Sequence, residues 1–432
     1  MSGVQEGHLP SHPDPSKTHS KNDQNNAPSY GLYQNHLYAA GMLHNTLPSV
    51  TTDPNKLEHQ AKSKMALKAY NYVAGGAGER ATMDANRLAF RTWKLVPRML
   101  RPSGGGGQRS TRATILGEEY DSPVIVAPVG VQKLFHECGE EGSARAAAKV
   151  RVPYCMSTAA SATIEQVAAA SGAGERWYQL YWPQDHSITL SLLGRAKKAG
   201  FRVLLATLDT WALSWRPWDL DEAYVPFMTG MGNQVGFSDE VFRKMLKDRG
   251  AKSPEEDVVG ASLAWQKEVF SGATHSWEDV KLLVDNWDGP VVLKGIQHPE
   301  DAKKAAEMGV KGIVVSNHGG RQMDGAVGSL EMLPEVVEAL KGTDVEVLFD
   351  SGIRTGVDII KAIALGAKGV LVGRPWVYGM GIAGEKGVEA ALRGLLADLD
   401  QSMGLAGIAS LNDLNKDWLR RSFYPGDRHS NN

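Results

Sequence analysis

Val347-Leu348-Phe349-Asp350-Ser351-Gly352-Ile353-Arg354, a helical stretch from Gly356 to Leu365, and then Gly369-Val370-Leu371-Val372-Gly373-Arg374-Pro375 together form one repeating unit. A short apolar run ends in a polar corner, a helix follows, and a second apolar run ends the same way. Short runs of this kind alternating with helical stretches mark parallel strands joined by crossover helices. Reading outward, the unit recurs. Strands are expected to end near Ala127, Ser157, Tyr181, Thr207, Lys294, Ser316, Phe349 and Val372, each before a segment able to form a helix, such as Ser143 to Val150. Eight such units predict an α/β fold, a (β/α)8 TIM barrel over residues 120–405 or so.

The rest of the 432-residue chain is read around that barrel. With 42% hydrophobic and 22% charged residues it belongs with globular proteins, and collagen-like, fibrous or wholly disordered classes are excluded. Lys and Arg number 47 against 49 Asp and Glu, so no basic surplus points to nucleic acid or an anionic membrane, and a small molecule is the expected partner. Only Cys138 and Cys155 are present, too few for a disulfide framework or a thiolate metal site. No signal-like segment opens the chain and no apolar run is long enough to span a bilayer, so a cytoplasmic location is expected. Residues 1–30 are rich in Ser, Pro, His and Asn and are expected to form a disordered tail, leaving 31–432 as one domain. A helical pattern running from about Asp53 through Tyr72 precedes the barrel and stops at Gly75-Gly76-Ala77-Gly78.

One interval breaks the rhythm. After Thr207 the next clear helix begins near Ser276, which predicts a long lid loop after strand four carrying Trp211, Trp215 and Trp218. Barrel active sites lie at that rim.

Polar residues at the strand ends carry the candidate chemistry. His318 in Ser316-Asn317-His318-Gly319-Gly320-Arg321 is the candidate general base, because imidazole titrates closest to neutrality, and Arg321 is placed to fix an anionic substrate beside it. At strands seven and eight, Gly352 with Arg354 and Gly373 with Arg374 suit a phosphate, the group barrels commonly hold at that corner. Lys294 ends the fifth strand as either an amine nucleophile or a fixed positive charge. Gly379-Met380-Gly381-Ile382-Ala383-Gly384 matches a dinucleotide-binding pattern literally but lies past the last strand, so no Rossmann site is assigned. No histidine array supports a metal site. On these residues alone, a phosphate-handling aldolase or isomerase using Lys294 and a catalytically silent binding barrel both remain open.

Ser316-Asn317-His318-Gly319-Gly320-Arg321-Gln322, Asp350-Ser351-Gly352-Ile353-Arg354 and Gly373-Arg374-Pro375, in barrel order, resemble the FMN-dependent 2-hydroxy acid oxidase and dehydrogenase family. Asp209-Thr210-Trp211, Trp215-Arg216-Pro217 and Lys294-Gly295-Ile296-Gln297-His298-Pro299 look most like its lactate 2-monooxygenase branch. The resemblance implies FMN as cofactor. It implies that Ala127, Pro128 and Val129 with Ser157, Gln179 and Thr207 hold the flavin ring, with Lys294 and Ser316 beside it. Asp350, Gly352, Arg354, Gly373 and Arg374 would take the ribityl chain and phosphate.

Tyr72, Arg216 and Arg321 would then bind the substrate carboxylate, Tyr181 would lie beside the hydroxyl, His318 would act as base, and Asp209 would orient it and raise its pKa. Gly130 matches the small residue of the monooxygenase branch, and with it comes the expectation of a lactate-like acid and O2 giving a shortened carboxylic acid, CO2 and water. The alternative within the same resemblance is an oxidase yielding a 2-keto acid and H2O2 from a larger 2-hydroxy acid. A homo-oligomer, tetramer or octamer, is the family's common assembly.

Overall fold

A computed structural model describes residues 29–101 and 109–422. Eight parallel strands close into a barrel in sequence order: Val124–Val126, Tyr154–Ser157, Arg176–Tyr181, Val203–Thr207, Val291–Ile296, Gly312–Val315, Glu346–Phe349 and Gly369–Val372. Closure joins the eighth strand to the first, with Val370, Leu371 and Val372 opposite Val124, Ile125 and Val126. The expected TIM barrel is thus present, and its strands end within two residues of the positions read from sequence.

Alternation along the strands positions the site. Ile125, Cys155, Trp177, Leu205, Val292, Val314, Leu348 and Leu371, one from each strand, belong to a closed apolar cluster distinct from the core outside the barrel. Their neighbours, such as Val126, Met156, Ala206 and Val315, pack outward against the helices. Side chains two residues apart on a strand share a face. The next inward positions toward the carboxyl end are therefore Ala127, Ser157, Gln179, Thr207, Lys294, Ser316, Asp350 and Gly373. Apolar packing stops at one layer, and a mostly polar layer begins directly above it.

The opposite mouth is plugged by a hairpin, Ala113–Ile115 against Glu118–Tyr120, whose turn residues Leu116 and Gly117 both take positive φ (53° and 83°). Two positive φ values in a two-residue loop match the right-handed twist of the flanking strands. Ile115 and Tyr120 enter the inner cluster, and Tyr120 meets Trp177 edge-on at 6.5 Å.

Among the described residues four helices precede the barrel, Leu32–His44, Pro54–Lys62, Leu67–Ala74 and Ala81–Thr92. The single helical pattern expected from Asp53 to Tyr72 is in fact two helices. The first starts at Asp53, whose carboxylate accepts from the Asn55 backbone N–H, and ends at Ser63, before the second begins at Leu67. Residues 1–28 of the expected tail lie outside the described residues, while Tyr30, its last member, is buried and donates its hydroxyl to the Val150 carbonyl at 3.3 Å.

The interval after the fourth strand corrects a second expectation. Much of it is helical: Pro217–Asp221, the 3-10 turn Pro226–Thr229, Gln234–Phe237, Glu240–Asp248 and Val258–Val269 precede Val280–Asn286, the helix expected near Ser276. Asp239 caps Glu240–Asp248 and Asp257 caps Val258–Val269, each by accepting from the first-turn N–H groups. Trp265, Phe242 and Leu246 are buried and join the apolar core outside the barrel. The Gly379–Gly384 run lies within the last helix, Arg374–Ala406, which departs from helical geometry at Ala383 and Gly384.

Candidate active site

Above the polar layer lies a cavity with about 1080 Å³ of empty space, counting its solvent-open mouth. Sixteen of the nineteen residues singled out from sequence line it: Tyr72, Ala127, Pro128, Val129, Gln179, Tyr181, Thr207, Arg216, Lys294, His318, Arg321, Asp350, Gly352, Arg354, Gly373 and Arg374. The other three stand directly behind lining residues. Asp209 accepts from His318, Ser316 accepts from Lys294 at 2.9 Å, and Ser157 donates to the Gln179 side-chain Oε1 at 2.9 Å. Gln179 in turn donates to Thr207 at 2.9 Å, so one hydrogen-bonded row crosses the second, third and fourth strands.

His318 Nδ1 lies 2.7 Å from Asp209 Oδ1. Ionised carboxylates only accept, so Nδ1 carries the proton and Nε2 keeps its lone pair. Thr210 Oγ1, 3.0 Å from Asp209 Oδ1 and 3.1 Å from His318 Nδ1, braces the pair. His318 has φ 57°, an uncommon conformation for a side chain of its size, held by its N–H donating to Ser316 Oγ at 3.1 Å. Gly295, at φ 109°, leaves room for Asp209, since a Cβ there would fall 2.8 Å from the Asp209 Cβ.

Charge is arranged around this pair. Burial alone would raise the Asp209 pKa, but Lys294 and His318 beside it hold the carboxyl well below its ordinary range. Burial likewise disfavours the Lys294 ammonium, yet Asp209 at 3.6 Å and Asp350 at 3.3 Å keep it firmly protonated. For His318 the balance differs from the sequence expectation. Asp209 does favour the imidazolium, but burial outweighs it and Lys294 opposes it, so the pKa falls below the ordinary histidine value. A neutral imidazole near pH 7 is the result.

Four arginines ring the cavity, and among the described residues none is paired with a carboxylate. Arg216 Nε donates to the Arg321 carbonyl at 2.9 Å and its Nη2 to Gln322 Oε1; burial and the nearby Arg321 pull its pKa down to about 10. Arg321 donates to the carbonyls of Tyr72 and Gly75, and its guanidinium lies 4.9 Å from the centre of the Tyr72 ring. Arg374 donates to the carbonyls of Val73, Gly319 and Gly75, each at 2.9 Å, and burial brings its pKa down to about 9. Arg354 donates to the Ile353 carbonyl at 2.9 Å and is also shifted down by burial. Guanidinium groups that meet only uncharged partners suit incoming anions, and they form two sets: Arg216 with Arg321 beside His318, and Arg354 with Arg374 at the seventh and eighth strands.

Phosphate fits the second set. A Cβ on Gly373 would meet nothing nearer than the Ala127 Cβ at 3.9 Å, so the backbone there borders open cavity. The hydrogen-bonding row Ser157, Gln179 and Thr207, the charged Lys294 and the two arginines form a donor set suited to a flavin carrying one phosphate.

Sequence reasoning missed several contributors. Thr210 stood in a quoted motif, but the bonds that give it a part are tertiary. Gln322 donates to the carbonyls of Asp209 at 3.1 Å and Ala212 at 2.9 Å, stitching the loop after the sixth strand to the loop after the fourth. Leu213, Phe227 and Phe270 line the cavity from the interval after the fourth strand, where no periodicity marked them. Among the described residues no group of His, Cys, Asp and Glu is disposed to hold a metal, and no helix is long and apolar enough to cross a membrane.

Comparison with known proteins agrees with this geometry. Residues 61–421 match the family model for FMN-dependent dehydrogenases. An FMN-dependent alpha-hydroxy acid dehydrogenase of Penicillium citrinum is 54% identical over 92% of this chain and 98% of its own length. Another so named, of Schizosaccharomyces pombe, is 49% identical over 90% and 95%. A crystal structure of mandelate oxidase superposes with a TM-score of 0.73 at 36% identity, covering 87% of this chain and 99% of that one. These relatives are named as dehydrogenases and an oxidase, and none of the three as a lactate monooxygenase.

Proposed function

Since the chain belongs to the FMN-dependent dehydrogenase family and oxidises a 2-hydroxy acid with FMN, we propose that it releases the 2-keto acid as its product rather than decarboxylating it. The observation that carries the proposed mechanism is the His318–Asp209 contact of 2.7 Å beside two guanidinium groups without carboxylate partners. Arg216 and Arg321 take the substrate carboxylate, with the Tyr72 side chain completing that end. This fixes the α-carbon and its hydroxyl before His318, in the presence of Tyr181, whose phenol burial keeps protonated. Nε2 of His318 accepts the substrate proton while Nδ1–H stays on Asp209, which stabilises the resulting imidazolium.

FMN, when bound, supplies the acceptor for the two electrons that leave the substrate. Ala127, Pro128, Val129, Ser157, Gln179, Thr207, Lys294 and Ser316 would hold its ring. Asp350, Gly352, Arg354, Gly373 and Arg374 would hold the ribityl chain and phosphate. Lys294, kept charged by two carboxylates and Ser316, offsets negative charge developing next to it.

Two points support keto acid release. The relatives described above are named as dehydrogenases or oxidase. Moreover, Gly130, on which the monooxygenase expectation rested, has a packing reason of its own: a Cβ there would lie 2.5 Å from the Ala159 carbonyl oxygen. Turnover with oxygen, followed by product analysis, tests the proposal. Equimolar 2-keto acid and H2O2 are expected with oxygen as acceptor, and CO2 with a carboxylic acid one carbon shorter would overturn it.

A further inference from the structure

The interval after the fourth strand brings an apolar wall to the cavity. Tyr181 and Phe270 meet edge-on with ring centres 4.9 Å apart, and Phe270 meets Phe227 at 5.5 Å, so three rings run in contact away from the hydroxyl end of the site. Leu213 lines the same cavity. Gly130 and Ala159 line it too; they pack closely against each other, and neither projects a long side chain into the space.

This wall is held rigidly. Phe227 lies in the turn Pro226–Thr229, and Phe270 directly follows the helix Val258–Val269. Asn233 Nδ2 bonds both elements, donating to the Phe227 carbonyl at 2.8 Å and to Ser262 Oγ at 3.0 Å. Gly232 backs the Phe227 ring so closely that a Cβ there would sit 3.0 Å from its Cε1.

We propose that Phe227 and Phe270 form the substrate side-chain pocket and select 2-hydroxy acids with a bulky apolar side chain, branched or aryl, over lactate. The selection rests on the 2-hydroxy acid reading above and gives it a substrate class. Once Arg216 and Arg321 fix the carboxylate and His318 the hydroxyl, the third substituent has the rings as its apolar neighbours. A methyl group covers little of that surface, and each methylene placed against such a wall is worth roughly 10–200-fold in discrimination.

Anaerobic mixing of the flavin-loaded enzyme with L-lactate, L-2-hydroxy-4-methylpentanoate or L-3-phenyllactate, followed through the flavin absorbance, tests this. Both larger acids are expected to reduce the flavin with a second-order constant at least tenfold above that of lactate. The ratio should fall at least tenfold in Phe270→Ala and by less in Phe270→Leu. Calorimetry with propionate and 3-phenylpropionate, which lack the reacting hydroxyl, gives a readout independent of turnover. The phenyl compound is expected to bind at least tenfold more tightly, and that advantage should shrink in Phe270→Ala. A wild-type preference for lactate, or ratios unchanged by both variants that retain flavin, overturns the pocket while leaving the 2-hydroxy acid reading intact. Flavin left oxidised by all three acids overturns that reading, and the pocket with it.

Discussion

At His318 burial and a neighbouring carboxylate act in opposite directions. Burial lowers its pKa and Asp209 raises it, with burial prevailing. The neutral form is the base, so kcat/KM should fall as pH drops through that lowered value, with the acid limb inflecting below the ordinary histidine pKa of about 6.5. Asp209→Asn should move the limb to still lower pH, because the carboxylate is what favours the proton on the ring. His318→Ala should cost roughly 10²–10⁴-fold in flavin reduction rate at pH 7 while the protein stays yellow. A limb above 6.5, or a variant that keeps the wild-type rate, would exclude His318 as the base. The base was legible in the sequence because its loop follows a buried strand. Its pKa direction was not, since that depends on how deeply Asp209, Lys294 and His318 sit together, a tertiary quantity.

Elements were legible in proportion to their periodicity. The barrel strands announced themselves as short apolar runs with polar ends, and two-residue alternation then placed Ser157, Gln179, Thr207, Lys294 and Ser316 on one inner layer. The helices after the fourth strand were hidden because those that Pro217 and Pro226 open are only a turn or so long and the Trp residues suggested a loop. Trp265, by contrast, anchors a helix and is 1% exposed. Gly130 shows the risk of assigning function to a small residue from sequence alone. Gly130→Ala places a methyl 2.8 Å from the Ala159 Cβ, besides crowding its carbonyl oxygen. Overpacking of this kind should destabilise the protein by about 1–3 kcal/mol, measured by urea unfolding of the flavin-loaded enzyme. The keto acid should remain the product.

Across the whole molecule, cofactor binding and folding are linked. A ligand held only by the folded chain adds about 2.7 kcal/mol when present at 100 times its Kd. Removing FMN should therefore lower Tm, and added FMN should restore it. Inorganic phosphate alone should recover part of the loss by neutralising Arg354 and Arg374, and the recovered part should shrink in Arg354→Gln. A Tm indifferent to flavin and to phosphate would contradict the assignment of that corner.

The carboxyl end of the helix Leu67–Ala74 joins the two anion sites, because the Gly75 carbonyl accepts from both Arg321 at 3.1 Å and Arg374 at 2.9 Å. One peptide oxygen is thus a common tether for the grip on the acid and the grip on the prosthetic group. Displacing that tether slackens both grips at once, so neither can be retuned by mutation at this corner without the other registering the change.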